Sequence, residues 1–125
     1  MQIKLHKVMK LNDVLKNIIN NKDYKLDVVT KFQMLGILKE FEAPLMNIET
    51  IRNEKIIEYG KTNEEGNVFI DQTDTENMGK FIADMNALMN SDVELDINPL
   101  DAKTVSDIGL SADELMTLYD IMELN

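Results

Sequence analysis

Residues 30 to 59 carry an apolar repeat long enough to dictate the architecture of a 125-residue chain. The repeat advances by alternating steps of four and three residues through Met34, Leu38, Phe41, Leu45 and Ile48. This spacing places the side chains on one face of an α-helix and suits packing against another helix. A second row widens this face at its N-terminal end and consists of Val28, Phe32 and Leu35. So broad an apolar face predicts a helical partner, and residues 74 to 90 carry a matching stripe.

Pro44 lies in the middle of the long stripe. A proline inside a helix removes one hydrogen bond and crowds the carbonyl four residues earlier, at a cost of about 3 kcal/mol. The helix therefore either kinks at residues 40 to 44 or breaks there into two. Because the stripe keeps its phase from Phe41 to Leu45, the sequence favours a kink.

The flanking segments predict two short strands and two shorter helices. Residues 2 to 8 and 93 to 97 alternate with a period of two, which predicts two strands that pair as an antiparallel ribbon. Asn12 is expected to cap a helix over residues 13 to 20. The predicted fold is thus α+β: a long helical hairpin, kinked or broken at Pro44, with a small antiparallel β-ribbon and a C-terminal helix.

Capping residues predict where two of these helices begin. Thr73 and Glu76 fit a capping box at the start of the second hairpin helix. Ser111 and Glu114 form the clearest such box in the chain, and the helix that follows is expected to run to about Leu124. A chain of this length predicts a single domain over residues 1–125.

Charge is distributed unevenly along the chain, whose net charge is −10. Residues 1 to 61 hold 11 Lys and Arg against 8 Asp and Glu, whereas residues 62 to 125 hold 2 against 15. The acidic half repels nucleic-acid phosphates and anionic membranes, so neither is expected as a partner. It is either a solvated surface or a face that docks on a basic partner, including the basic half of another copy.

The sequence contains few residues or motifs that are typical of catalytic or metal-binding sites. The chain has no cysteine, and its one histidine, His6, lies outside any catalytic or metal-binding motif. Two acidic clusters offer oxygen ligands for calcium: Asp71, Asp74 and Glu76 near a turn, and Asp92, Glu94 and Asp96 along a strand. Carboxylates two residues apart on a strand sit roughly 7 Å apart and diverge, so helix capping and solvation explain them better. We therefore predict no catalytic residue, no metal and no cofactor.

Five segments resemble a family of small proteins of uncharacterised role from tailed bacteriophages and prophages. They are residues 39–45, 52–60, 63–67, 93–100 and 110–115, with sequences KEFEAPL, RNEKIIEYG, NEEGN, VELDINPL and LSADEL. The resemblance covers residues 30 to 120, and the N-terminal part is less alike. It implies a phage protein, encoded among virion or assembly genes, and brings no catalytic residues with it.

We expect a non-enzymatic phage protein that acts through protein–protein contacts, as a virion component or an assembly accessory. Its partners would be other phage proteins or itself, in the host cytoplasm during infection or within the virion. An acidic inhibitor that mimics nucleic acid and blocks a host protein is the alternative, and a metal-dependent or carboxylate enzyme is the third. The predicted partner-binding residues are Met46, Ile51, Ile56, Asp92, Glu94 and Asp96.

Overall fold

The computed structural model describes residues 1–123. The helices are α1 (Leu5–Asn20), α2 (Val28–Tyr59), α3 (Thr75–Met89), α4 (Ala102–Ser106) and α5 (Ala112–Leu118). The strands are β1 (Gln2–Lys4), β2 (Lys61–Thr62), β3 (Val68–Phe69), β4 (Asp92–Glu94), β5 (Leu100–Asp101) and β6 (Met122–Glu123). A 3-10 turn, Tyr119–Ile121, joins α5 to β6. The architecture is the predicted α+β fold with a long helical hairpin, small sheets and a C-terminal helix.

The long helix α2 continues without a break through Pro44. Asp27 caps its N-terminus, because the carboxylate accepts a hydrogen bond of 2.7 Å from the backbone N–H of Thr30. Four apolar side chains of α2 are buried, namely Met34, Ile37, Phe41 and Ile48. The alternative of two separate helices is therefore wrong, since packing along this face outweighs the local cost of the proline.

A two-stranded hairpin connects α2 to α3 and completes the predicted helical pair. Strands β2 and β3 pair antiparallel, and Gly66 takes a φ of 85° in the turn between them. Across the helices, the Tyr59 hydroxyl donates a hydrogen bond of 2.6 Å to Asp84. Lys55 lies 3.6 Å from the same carboxylate, so the end of α2 is fastened to the middle of α3.

The hydrophobic core lies mainly where α2 packs against α1, and not at the contact between α2 and α3. It is built from α1, the N-terminal half of α2 and the segment after β4, with Leu11, Leu15, Ile18, Met34, Phe41, Leu100, Val105, Leu118 and Ile121 fully buried. Helix α3 has no buried residue, and Phe81 and Met85 are only half-buried. The principal partner of α2 is therefore α1, and the contact with α3 is a secondary one.

Helix α1 begins eight residues earlier than predicted. Only Gln2–Lys4 is extended, and the helix starts at Leu5, so the proposed cap at Asn12 is wrong. Leu5, Val8 and Leu11 are buried at helical spacing. Ile3 and Leu5 fit a strand period, whereas Leu5, Val8 and Leu11 fit a helical one, so the pattern alone leaves the start of the helix open. The structure buries the residues at helical spacing.

The predicted ribbon between the N-terminal strand and the strand near residue 93 is present. Strands β1 and β4 pair antiparallel with Ile3 opposite Val93. The second strand ends at Glu94 rather than at Ile97 as predicted, and Leu95 and Ile97, which follow it, are buried in the core. The ribbon closes one end of the core.

Two helix ends differ from the predicted ones. The cap of α3 is Asp74, which accepts from the backbone N–H of Asn77 at 3.1 Å, and Thr73 bonds to Asp71 instead of forming a capping box. Helix α5 has the predicted capping box at Ser111 but ends at Leu118. The chain becomes extended at Met122 because β6 pairs in parallel with β5, whereas Leu124 lies outside the described residues.

Candidate interaction surfaces

A row of apolar and charged side chains lies on the side of α2 that faces away from the core. The row follows alternating steps of four and three residues and comprises Val28, Phe32, Leu35, Lys39, Glu42, Met46, Glu49 and Asn53, all of them exposed. We call these eight positions the outer face of α2. Val28 is 83% exposed, Phe32 77%, Met46 68% and Leu35 48%. Val28, Phe32 and Leu35 occupy consecutive positions of the row, and exposed large apolar side chains grouped in this way are typical of an interaction surface.

The outer face corrects one prediction from the sequence. Val28, Phe32 and Leu35 were expected to widen the face that packs in the core, but they lie on the opposite side of the helix from Met34 and Phe41. A helix that is apolar on two sides requires partners on both. The chain covers only one of those sides among the residues described here.

The predicted partner-binding residues do not form one site. Met46 belongs to the outer face, whereas Ile51 and Ile56 are half-buried elsewhere on α2. Asp92 and Glu94 lie on β4, and Asp96 follows that strand; all three are exposed.

Two of the three acids on and after β4 already have cationic neighbours. Lys4 approaches Asp92 at 3.6 Å, and the N-terminal ammonium group donates a 2.7 Å hydrogen bond to Glu94. Both pairs link the N-terminal segment to β4. These contacts give the acidic strand a local structural role and reduce the negative charge that it offers to a partner.

A groove of about 590 Å³ lies between α1 and α5. His6, Lys10, Met116 and Tyr119 are among the residues that line it. An ion pair of 3.4 Å between Lys7 and Asp120 joins its two walls. The groove is open to solvent and is lined by both polar and apolar side chains. The Thr117 hydroxyl in its wall donates a hydrogen bond to the backbone carbonyl of Asp113 and not to a base. Within residues 1–123, no group of three or more His, Asp or Glu side chains is arranged to hold a metal ion.

Several carboxylates have a lowered pKa because threonines hydrogen-bond to them. The backbone N–H and then the hydroxyl of Thr30 lower the pKa of Asp27. The hydroxyl and then the backbone N–H of the neighbouring threonine do the same for Asp71 and for Asp101. These are turn and helix-capping arrangements, so they explain the acidic residues near position 71 without a ligand.

Comparison of the chain with protein-family models, with curated proteins and with solved structures finds no match. Across the helices of residues 1–123, none combines the length and apolar character needed to cross a bilayer. The functional argument therefore depends on the surfaces of the molecule.

Proposed function

We propose that the protein acts through protein–protein contacts made by the outer face of α2, as a virion component or assembly accessory of a bacteriophage. One observation carries this proposal: Val28, Phe32 and Leu35 form an exposed apolar cluster on a 32-residue helix, and Met46 lies further along the same face. Burial of such a side chain is worth about 1.5–3 kcal/mol each, so covering the row would drive association. The phage setting is an expectation from the five similar segments.

The mutual arrangement of the two faces of α2 supports a binding role. The buried row fixes α2 against α1, so the exposed row is presented on a rigid element with little ordering cost on binding. Pre-organised apolar side chains at the centre of a patch are the usual source of binding energy in protein interfaces.

Site-specific photo-crosslinking tests the proposal. A photoreactive amino acid placed at Leu35, on the outer face, should capture a defined protein during phage production. The same amino acid placed at Met116, which is 74% exposed on α5, should not. Mass spectrometry of purified particles would show whether the captured complex is part of the virion.

Two results would speak against this function. Equal or absent capture from Leu35 and Met116 would remove the role of the outer face. Capture of one basic host protein, lost as the salt concentration rises, would instead support the acidic inhibitor.

A further inference from the structure

We propose that the outer face of α2 pairs with the same face of a second copy of this chain, with the two helices antiparallel. The inference rests on the proposed function, because it names the partner of that surface. It follows from the order of apolar and charged residues along the outer face.

A two-fold axis between Lys39 and Glu42 makes the centre of the outer face complementary to itself. In this register Lys39 lies opposite Glu42 of the second copy and Leu35 opposite Met46. Toward the ends, Phe32 lies opposite Glu49 of the second copy and Val28 opposite Asn53. The row from Val28 to Asn53 spans about 38 Å, at a rise of 1.5 Å per residue. An interface with this symmetry is closed, so it covers Leu35 and Met46 of both copies and produces a dimer rather than a filament.

Charge complementarity selects the antiparallel arrangement. Along and beside the outer face, Lys31 and Lys39 belong to the N-terminal half of α2, and Glu42 and Glu49 to the C-terminal half. Within residues 1–123, none of these four side chains forms an ion pair. Antiparallel pairing brings lysines to glutamates, whereas parallel pairing brings like charges together. Such contacts determine orientation more than affinity.

One flank of the outer face carries small residues close to the two-fold axis. Val29, Gly36, Ala43 and Ile57 recur at steps of seven or fourteen residues beside the apolar row, and Val29 and Ile57 are exposed. A Cβ atom at Gly36 would meet nothing within 4 Å, so this side of the helix is open. The two-fold axis brings Gly36 to within two residues of the level of Ala43 of the second copy. Small residues near the axis allow the helices to approach closely.

Sedimentation equilibrium of the purified full chain tests the pairing. The wild type should form a dimer, and Leu35→Asp should raise its dissociation constant on the order of tenfold or more, because a carboxylate would be buried beside Met46. Met116→Asp is the matched control and should leave the dissociation constant unchanged. Circular dichroism of each variant confirms that the fold is kept.

Charge reversal tests the register. Lys39→Glu and Glu42→Lys should each weaken self-association, because each places two like-charged pairs at the axis. An equimolar mixture of the two variants should associate as tightly as the wild type, since opposite charges then face each other at both positions. A mixture that associates no better than either variant alone overturns the antiparallel register.

The outcomes separate this inference from the proposed function. A wild-type chain that stays monomeric up to about 0.1 mM overturns self-pairing. If the photoreactive residue at position 35 still captures a different protein in that case, the proposed function stands. If it captures nothing, both fail.

Discussion

At the scale of single residues, Ser111 caps the N-terminus of α5. Its hydroxyl accepts from the backbone N–H of Glu114 at 3.2 Å, and the Glu114 carboxylate accepts from the backbone N–H of Ser111 at 3.0 Å. We expect Ser111→Ala to lower the free energy of unfolding by about 1 kcal/mol in urea titrations. Ser106→Ala, which removes no cap, should have a smaller effect. Unchanged hydrogen exchange of residues 112–118 in Ser111→Ala would contradict this role.

Glu114 also makes stability depend on pH. Burial opposes its ionisation, but hydrogen bonds from the Tyr24 hydroxyl and from Ser111 outweigh burial and lower the pKa of the carboxyl group. A lowered pKa stabilises the fold above the unfolded value of about 4.3, and that stability is lost as pH falls through the folded value. Thermal melts from about pH 6 to pH 3 should therefore show a weaker acid dependence for Glu114→Gln than for the wild type. Equal acid dependence would show that Glu114 does not contribute.

At the scale of elements, two glycines at the helical pair should respond oppositely to alanine. A Cβ atom at Gly79, in α3, would meet nothing within 4 Å, so Gly79→Ala should raise the free energy of unfolding by about 1 kcal/mol. At Gly60 it would meet the Ile56 carbonyl and lie 2.7 Å from that of Phe69, so Gly60→Ala should destabilise the β2–β3 connection. Chemical denaturation of both variants checks the signs. Stabilisation by Gly60→Ala would contradict the observed packing.

Some boundaries of the helices can be predicted from sequence patterns, and others cannot. The bounds of α2 and α3 follow from long apolar periodicity, and the Ser111 cap follows from local hydrogen-bonding chemistry. The start of α1 does not, because Ile3 and Leu5 fit a strand period while Leu5 and Val8 fit a helical one. The end of α5 depends on pairing with Leu100–Asp101, a contact between distant segments that no local pattern encodes.

At the scale of the whole molecule, the position of the outer face of α2 also depends on contacts between distant segments, which local sequence patterns do not encode. The sequence identifies Val28, Phe32 and Leu35 as apolar residues at helical spacing, but only the position of α1 decides which side of α2 is covered. The pattern predicts Met46 as a partner-binding residue, and the structure places it on the outer face. Ile51 and Ile56 carry the same kind of signal and are half-buried, so periodicity alone does not separate core from surface.

The contact of α2 with the core should contribute more to the free energy of unfolding than its contact with α3. Phe41 is fully buried where α2 joins the core, whereas Phe81 is half-buried on α3 and lies outside the core cluster. Phe41→Ala should therefore cost about 3–5 kcal/mol, as for a fully buried aromatic residue. Phe81→Ala removes the same atoms from a partly exposed site and should cost roughly 1–2 kcal/mol. Urea unfolding compares the two variants directly, and an equal loss would mean that the contact between α2 and α3 supports the fold as strongly as the core does.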